Sequence, residues 1–328
     1  MKGLASLESY YVVGAMQKNQ VLRDWEQYKK GLILKVSKEN GTVEKCAEYT
    51  SPPEVCSNKN PSFLFTAGTI DNNELYVGTQ TEVIVYSLPD FNLVNYLTLP
   101  CFNDIHHVVP NGAGGVFIVN TGLDMVVEAT FHGEILNQWN VVDGLLLEKP
   151  FQCKLDYRKV STTKPHKSHP NYVFRIGEDI WVTRCLQKDA ICLTTSQQIN
   201  IERELIHDGV VFGDLVFFSQ VDGYIVVADK NKHEVTEVHN LNLMTPGKNP
   251  LGWCRGIKVL DQDKVIVGFT RIRPSKRTDS NGKVTWQGGY GISPTRIAGY
   301  DLKNRKLLWE INVEKFGMNA IYSIHSSS

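Results

Sequence analysis

The segment that decides the fold reads HHVVPN at 106–111, GVFIVNTG at 115–122, MVVEAT at 125–130 and ILNQWN at 135–140. Each run is short and apolar or rich in β-branched residues, which favours strands. The gaps between the runs hold Gly, Asn, Asp or His, and such residues favour tight turns. The segment therefore predicts four consecutive strands, which we call a, b, c and d in chain order.

The same order of four runs recurs along the chain. Clear copies occupy 207–242 and, with a long insertion, 255–313, and weaker copies occupy 63–99 and 171–204. The first part of the chain offers only three runs, whereas 320–325 offers one unpaired run. Three strands and one strand complete a sixth unit, and closing a ring in this way removes an open sheet edge. The sequence therefore predicts an all-β, six-bladed β-propeller in which the C-terminal strand completes the N-terminal blade.

The length of the chain agrees with six blades. Its 328 residues give about 55 residues per blade, which leaves room for loop insertions beyond the common blade length. A seven-bladed ring would need strands that the sequence does not offer. We therefore expect a single propeller domain over 1–328.

Composition limits the possible partners. The 35 Lys and Arg residues balance 35 Asp and Glu residues, so we expect neither nucleic acid nor a membrane surface as a partner. No apolar run approaches the roughly 20 residues of a spanning helix, and 1–11 lacks the apolar stretch of a secretory signal. Seven scattered cysteines without a C-x-x-C pair are typical of reduced thiols. These features predict a cytoplasmic protein, and they leave its oligomeric state open.

The turns between strands c and d share a polar pattern. They read ENG at 39–41, HGE at 132–134, NKH at 231–233 and KNR at 303–305, and Trp139 or Trp309 lies in the outer strand that follows two of them. Over the whole chain this architecture resembles six-bladed propellers such as NHL-repeat, gluconolactonase-like and strictosidine-synthase-like proteins. No Glu matches the metal-ligand pattern of the gluconolactonase-like members. Because such folds serve hydrolases, lyases, condensing enzymes and binding proteins, function has to be argued from the site.

Histidines gather on one face of the expected propeller. The d-to-a and b-to-c connections of a propeller surround one mouth of its central channel. Six of the nine histidines fall in d-to-a connections, at the start of strand a or on the expected innermost strand of the closing blade: His106, His107, His166, His169, His207 and His325. Side chains from different blades converge there, so separation in sequence is no obstacle to a shared site.

Three interpretations of these histidines remain open. The first is a site for a divalent transition metal such as Zn, Mn, Fe, Ni or Cu, with ligands from His107, His169, His207 and His325. The second is acid–base catalysis by one histidine oriented by Asp208, with Arg255 and Arg271 holding an anionic group. In the third, each histidine only bonds the backbone at a blade junction.

The candidate residues divide into two groups. The candidate catalytic residues are His107, His207, Asp208 and Arg255, and the candidate substrate-binding residues are His106, Asn120, Arg184, Arg271, Trp25 and Tyr290. Trp25 and Tyr290 lie in two long connections of neighbouring blades, which we expect to cover one side of the channel.

These observations predict an enzyme, metal-dependent in the first interpretation, that acts on a small polar or anionic substrate as a lyase, a hydrolase, or an isomerase or cyclase. No nucleotide cofactor is expected, because GGYG at 288–291 lacks the preceding strand and following helix of a phosphate-binding loop. The alternative is a non-catalytic module whose channel mouth recognises a peptide, a sugar or another protein.

Overall fold

The structure is a computed structural model that describes residues 8–18, 28–149, 151, 154–248, 250–278 and 284–327. Within 275–278 and 284–287 only the backbone is described. All sheets are antiparallel, and strands that follow one another in a blade are neighbours in its sheet.

Blades 1, 2 and 3 contain the strands β1 to β12. Blade 1 contains β1 (Ser9–Gln17), β2 (Tyr28–Ser37) and β3 (Val43–Tyr49), and blade 2 contains β4 (Gly68–Asp71), β5 (Glu74–Gly78), β6 (Val83–Ser87) and β7 (Asn92–Leu97). Blade 3 contains β8 (Ile105–Pro110), β9 (Gly115–Asn120), β10 (Met125–Thr130), β11 (Ile135–Asn140) and a short fifth strand, β12 (Leu145–Leu146).

The remaining blades follow the same pattern. Blade 4 contains β13 (Pro170–Ile176), β14 (Asp179–Arg184), β15 (Asp189–Cys192) and β16 (Gln198–Asn200), and blade 5 contains β17 (Ile206–Phe212), β18 (Leu215–Gln220), β19 (Tyr224–Asp229) and β20 (Glu234–Asn240), followed by α1 (Leu241–Met244). Blade 6 contains β21 (Trp253–Asp261), β22 (Lys264–Thr270), β25 (Arg296–Asp301) and β26 (Lys306–Asn312), and its insertion forms the hairpin β23 (Ser275–Thr278) and β24 (Val284–Gln287). Short 3-10 helices lie at Pro53–Val55, Thr121–Leu123, Tyr157–Lys159 and Glu314–Phe316.

The six blades form a closed ring. The last strand, β27 (Ala320–Ser326), pairs with β1 and becomes the first strand of blade 1, with Ile324 opposite Val12. The first strands of the blades contact one another in the order β4, β8, β13, β17, β21, β27 and back to β4. The expected six-bladed propeller, closed by the C-terminal strand, is therefore confirmed.

The hydrophobic core lies between adjacent blades. Strands inside a blade are covered on both faces, so they need continuous apolar runs rather than alternation, and every residue of β9 is buried. One core cluster joins blades 6 and 1 through Ile266, Ile321 and Ile324, and another joins blades 4 and 5 through Trp181 and Phe218. Packing of this kind fixes the blade angles, and with them the positions of the innermost strands.

Candidate functional site

Five of the six innermost strands described carry a β-bulge close to their first residues. We call this end of the channel the mouth. The register against the neighbouring strand skips one or two residues in β8, β13, β17, β21 and β27. Bulges redirect side chains and are common beside functional sites. The skipped residues are His106, Asn171, Tyr172, His207, Asp208, Gly256 and Tyr322.

His207 and Asp208 form a buried pair in the bulge of β17. His207 Nδ1 lies 3.0 Å from Asp208 Oδ1, and the two residues are 2% and 1% exposed. Because a carboxylate only accepts hydrogen bonds, Nδ1 carries the proton and Nε2 has a lone pair. Within the described part of the chain, this buried Nε2 has no hydrogen-bond partner.

Two further donors fix the Asp208 carboxylate. Ser219 Oγ donates to Oδ2, and the Gly256 backbone N–H donates to the same oxygen across 2.8 Å. Gly256 has φ +71°, and a Cβ built on it would lie 3.1 Å from Ser323 Cα. Only glycine adopts this conformation at little cost. The carboxylate therefore holds the imidazole from a rigid position.

Burial and charge set the protonation of His207. Burial lowers the pKa of His207 below its usual value, the Asp208 carboxylate opposes this shift, and the Arg255 guanidinium adds to it. His207 is consequently neutral near pH 7 and able to accept a proton.

Arg255 lies near this pair on β21. Its guanidinium carbon is 5.4 Å from the centroid of the Tyr322 ring and 5.6 Å from that of Trp253, and the Tyr322 ring is 6.4 Å from that of His207. Among the described residues, no carboxylate forms an ion pair with Arg255. The structure thus places His207, Asp208 and Arg255 at the mouth, without Arg271, which the acid–base interpretation also included.

A second group of histidines lies beside the first. The His106 ring is 6.2 Å from that of His207 and 4.9 Å from that of His169, and His166 Nδ1 lies 2.7 Å from His169 Nδ1. His106 Nδ1 donates to the side chain of Asn171 across 2.6 Å. Burial lowers the pKa of both His166 and His169. These histidines form the wall of the mouth next to blade 4.

His107 is occupied by contacts between blades. Its Nδ1 accepts the Val173 backbone N–H at 3.2 Å, its Nε2 lies 3.1 Å from Thr69 Oγ1, and its ring stacks on Tyr172 at 3.6 Å. Burial lowers the pKa of His107 to about 3. Both nitrogens therefore serve to join blades 2, 3 and 4, which differs from the expected catalytic or metal-binding role.

His325 lies farther along the channel. It is the sixth residue of β27, whereas His207 is the second residue of β17. Its Nε2 lies 2.9 Å from Ser323 Oγ, and desolvation, with a smaller contribution from the Lys258 ammonium, lowers the pKa of His325 to about 3. His325 is therefore displaced along the channel from His207. Among the residues described, no three His, Cys, Asp or Glu side chains form a group that could hold a metal ion.

Asn120 and Arg184, expected to bind substrate, are bonded within the scaffold. Asn120 Nδ2 donates to the carbonyl of Cys101 at 2.8 Å. Arg184 forms two hydrogen bonds with Asp189 and donates to the carbonyl of Val142 at 2.8 Å. Gln220 and Arg296 donate in the same way to the carbonyls of Glu204 and Leu251. In blades 3, 5 and 6, a side chain next to the b-to-c connection thus anchors the segment that leads into its own blade. Arg184 of blade 4 instead bonds the turn between β11 and β12 of blade 3.

The remaining expected binding residues lie apart from His207. Arg271 is paired with Glu314, with Nη2 2.7 Å from Oε1, and Tyr290 lies near it at 45% exposure. Trp25 lies outside the described residues. The long insertion of blade 6 therefore brings Arg271 and Tyr290 to a separate part of the same face.

Sequence reasoning missed several residues of the mouth. Tyr322, Tyr172, Asn171, Ser219 and Gly256 all contact a candidate histidine, the Asp208 carboxylate or Arg255. These residues share one feature in the sequence: each lies near the start of strand a of its blade, or opposite that point on strand b. That alignment becomes visible only when the bulges are known.

Comparisons with known proteins support the fold. No protein-family model and no curated protein sequence matches the chain. A protein of unknown function from Bacteroides caccae is 13% identical with a TM-score of 0.56, covering 97% of this chain and 98% of that chain. The structure of a nidogen/laminin complex gives 10% identity and a TM-score of 0.57, with the same coverage. A virginiamycin B lyase from Staphylococcus aureus is 12% identical with a TM-score of 0.44, covering 76% of this chain and 84% of that chain.

At these identities the first two similarities show the propeller fold and nothing finer. The class defined by fold and site is therefore a six-bladed β-propeller with a histidine-rich channel mouth. In the described part of the chain, no helix is long and apolar enough to cross a membrane.

Proposed function

We propose that the channel mouth is a proton-transfer site for a small substrate that carries a carboxylate or phosphate group. His207 acts as the general base, Asp208 orients it, and Arg255 binds the anionic group. The observation that carries this proposal is the His207 imidazole, whose Nδ1 is bonded to Asp208 while its buried Nε2 lacks a partner among the described residues.

The environment of His207 suits a base. Its lowered pKa keeps the ring neutral near pH 7, and the proton that Nε2 accepts produces an imidazolium beside the Asp208 carboxylate. Opposite charges at 3.0 Å stabilise that state in a buried site. This is the relation between a base and the carboxylate that orients it in many enzymes.

Arg255 supplies the complementary charge. A guanidinium can hold a carboxylate or phosphate by two parallel hydrogen bonds. Its position over the rings of Tyr322 and Trp253 restricts where that anionic group lies. In this proposal the proton that is transferred lies on a substrate atom near the anionic group and faces His207 Nε2.

The reaction class follows from the proton transfer. The proton moves from the substrate to Nε2, and the electron pair that it leaves either expels a leaving group or takes up a proton at another atom. The first outcome is an elimination, as in a lyase, and the second is an isomerisation.

Proton exchange tests this proposal without knowledge of the product. Small carboxylates and phosphorylated carbonyl compounds are incubated with the protein in D2O, and loss of substrate C–H signals is followed by proton NMR. We expect exchange or conversion with wild type, and a loss of at least about 100-fold in the His207→Asn variant, the usual size of a general-base contribution. Arg255→Gln raises the concentration of substrate required.

His132→Asn is the matched control, because His132 is an exposed histidine in the turn between β10 and β11. It should behave as wild type. If His207→Asn exchanges or converts every substrate at the wild-type rate, the proposal is wrong.

A further inference from the structure

His106 and His207 occupy corresponding places on the innermost strands of blades 3 and 5. His106 is the residue that the bulge of β8 skips, and His207 is one of the two that the bulge of β17 skips. Their ring centroids are 6.2 Å apart, and the ring planes differ by 30°. A group that gives or takes a proton lies about 3 Å from the substrate atom, so two such groups that act on neighbouring atoms are about 6 Å apart. The two rings have this spacing.

Asn171 fixes the proton of His106. Asn171 Nδ2 donates to the carbonyl of Ile206 at 2.8 Å, and its Oδ1 lies 2.6 Å from His106 Nδ1. Because a carbonyl oxygen only accepts hydrogen bonds, the orientation of the amide is determined, and His106 Nδ1 carries a proton. The Asn171 side chain is buried, so solvent does not compete for this bond. The nitrogen of His106 that remains for proton transfer is Nε2.

An ionised carboxylate lies beside that nitrogen. Asp104 Oδ1 is 3.4 Å from His106 Nε2, which is longer than a well-formed hydrogen bond. Burial raises the pKa of Asp104, but the positive charge of His106, with smaller contributions from Lys164 and His169, lowers this pKa overall. The negative charge of Asp104 stabilises a proton on His106 Nε2. His207 differs, because its buried Nε2 has a lone pair and no carboxylate as a partner among the described residues.

We propose that His106 is the general acid of the reaction at the mouth, an inference that rests on the proposed function of His207. Two titratable groups in such different environments divide the roles of acid and base. His207 Nε2 takes a proton from the substrate, and the electron pair of the broken bond stays in the substrate. The Nε2–H bond of His106 then breaks, its proton passes to the leaving group or to another substrate atom, and its electron pair stays on Nε2. Solvent takes the proton from His207 and returns one to His106, so both residues recover their starting states.

The two proton transfers are separated by comparing exchange with product formation. The panel of small carboxylates and phosphorylated carbonyl compounds is incubated in D2O, and proton NMR follows both rates. His106→Asn keeps an amide N–H that can donate to Asn171, but it lacks the nitrogen that gives the second proton. We expect this variant to form product at least about 100-fold more slowly than wild type. It should keep the exchange rate of wild type, since the deprotonated substrate takes solvent-derived deuterium back from His207.

Two controls make the result specific. His207→Asn should lose both exchange and product formation, and His132→Asn, in an exposed turn, should lose neither. If His106→Asn forms product at the wild-type rate, or loses exchange as strongly as product formation, His106 is not the acid and the role of His207 stands. Exchange by wild type without any product also overturns the inference.

A different result overturns the proposed function itself. If wild type exchanges no compound of the panel, or if His207→Asn exchanges as wild type does, His207 is not the base. The role of His106 as the acid then fails with it.

Discussion

The His207 imidazole is hydrogen-bonded to the residue that follows it in the chain, with Nδ1 3.0 Å from Oδ1 of Asp208. Consecutive side chains of a regular strand point to opposite faces and cannot meet in this way. The bulge between Ile206 and Gly209 removes that alternation. Both side chains consequently belong to one buried unit, which is the basis of the first prediction.

Replacing Asp208 by Asn should lower the pKa of His207 further. The Asp208 carboxylate raises this pKa against the effect of burial, so its removal disfavours the imidazolium. The pKa is measured by NMR titration of the His207 ring. Ser219→Ala, which keeps the carboxylate, should produce a smaller change. A pKa that rises or stays constant in Asp208→Asn contradicts the proposed interaction.

His107 should make the protein sensitive to acid. Its pKa is about 3 in the folded protein and about 6.5 when unfolded, so between these values only the unfolded chain takes up the proton. Above about pH 6.5 the titration of His107 does not lower the free energy of unfolding. As the pH falls from there towards 3, this titration lowers the free energy of unfolding by up to about 1.4 kcal/mol per pH unit.

Urea unfolding of wild type and His107→Leu between about pH 7 and pH 4 measures this effect, because the variant lacks the titrating group. The variant should be less stable near neutral pH, where it loses the contacts with Thr69 and Val173. The difference should shrink as the pH falls. Two parallel stability curves would show that His107 does not titrate in this way.

Arg184 should matter for stability. Arg184→Met leaves the buried carboxylate of Asp189 without its partner, which costs about 3–5 kcal/mol of unfolding free energy. Arg158→Met also breaks a pair, with Asp156, but at a more exposed position, and should cost less than about 1 kcal/mol. Equal effects of the two variants in urea unfolding would argue against the anchoring role of Arg184.

Ring closure should depend on the apolar side chains of β27. Ile324→Ala removes a buried side chain from the cluster that joins blades 6 and 1, and should cost about 2–5 kcal/mol. Leu308→Ala changes an outer residue of β26 that is 41% exposed, and should change stability by about 0.5 kcal/mol or less. Thermal and urea unfolding of both variants measures these changes in stability. If Ile324→Ala destabilises the protein no more than Leu308→Ala does, the side chains of β27 do not stabilise the closed ring.

The fold could be predicted from the sequence because each strand and turn of the repeated unit has a recognisable local pattern of residues. Apolar runs such as GVFIVN at 115–120 predict strands covered on both faces, and the count of strands at the two ends predicts the closure. The same reasoning placed His207, Asp208 and Arg255 at one mouth, since equivalent strands of different blades converge there.

The directions of the side chains could not be derived in this way. A shift of one residue in register sends a side chain to the opposite face, and the bulges of the innermost strands leave no mark in composition. Asn120 and Arg184 were placed at the correct connections, but their hydrogen bonds to Cys101 and Val142 depend on how closely adjacent blades pack. The partners of the His107 nitrogens depend on the same packing.

The pairing of β27 with β1 also bears on how the protein is made. The strands of five other blades are synthesised between β1 and β27, so β1 has an unpaired edge during that time, a state in which strands are prone to wrong pairing. Because β27 also carries Tyr322, the wall of the mouth beside Arg255 is assembled in the same late step. A nascent chain that stops before residue 320 therefore has five complete blades, only three strands of blade 1, and an incomplete site.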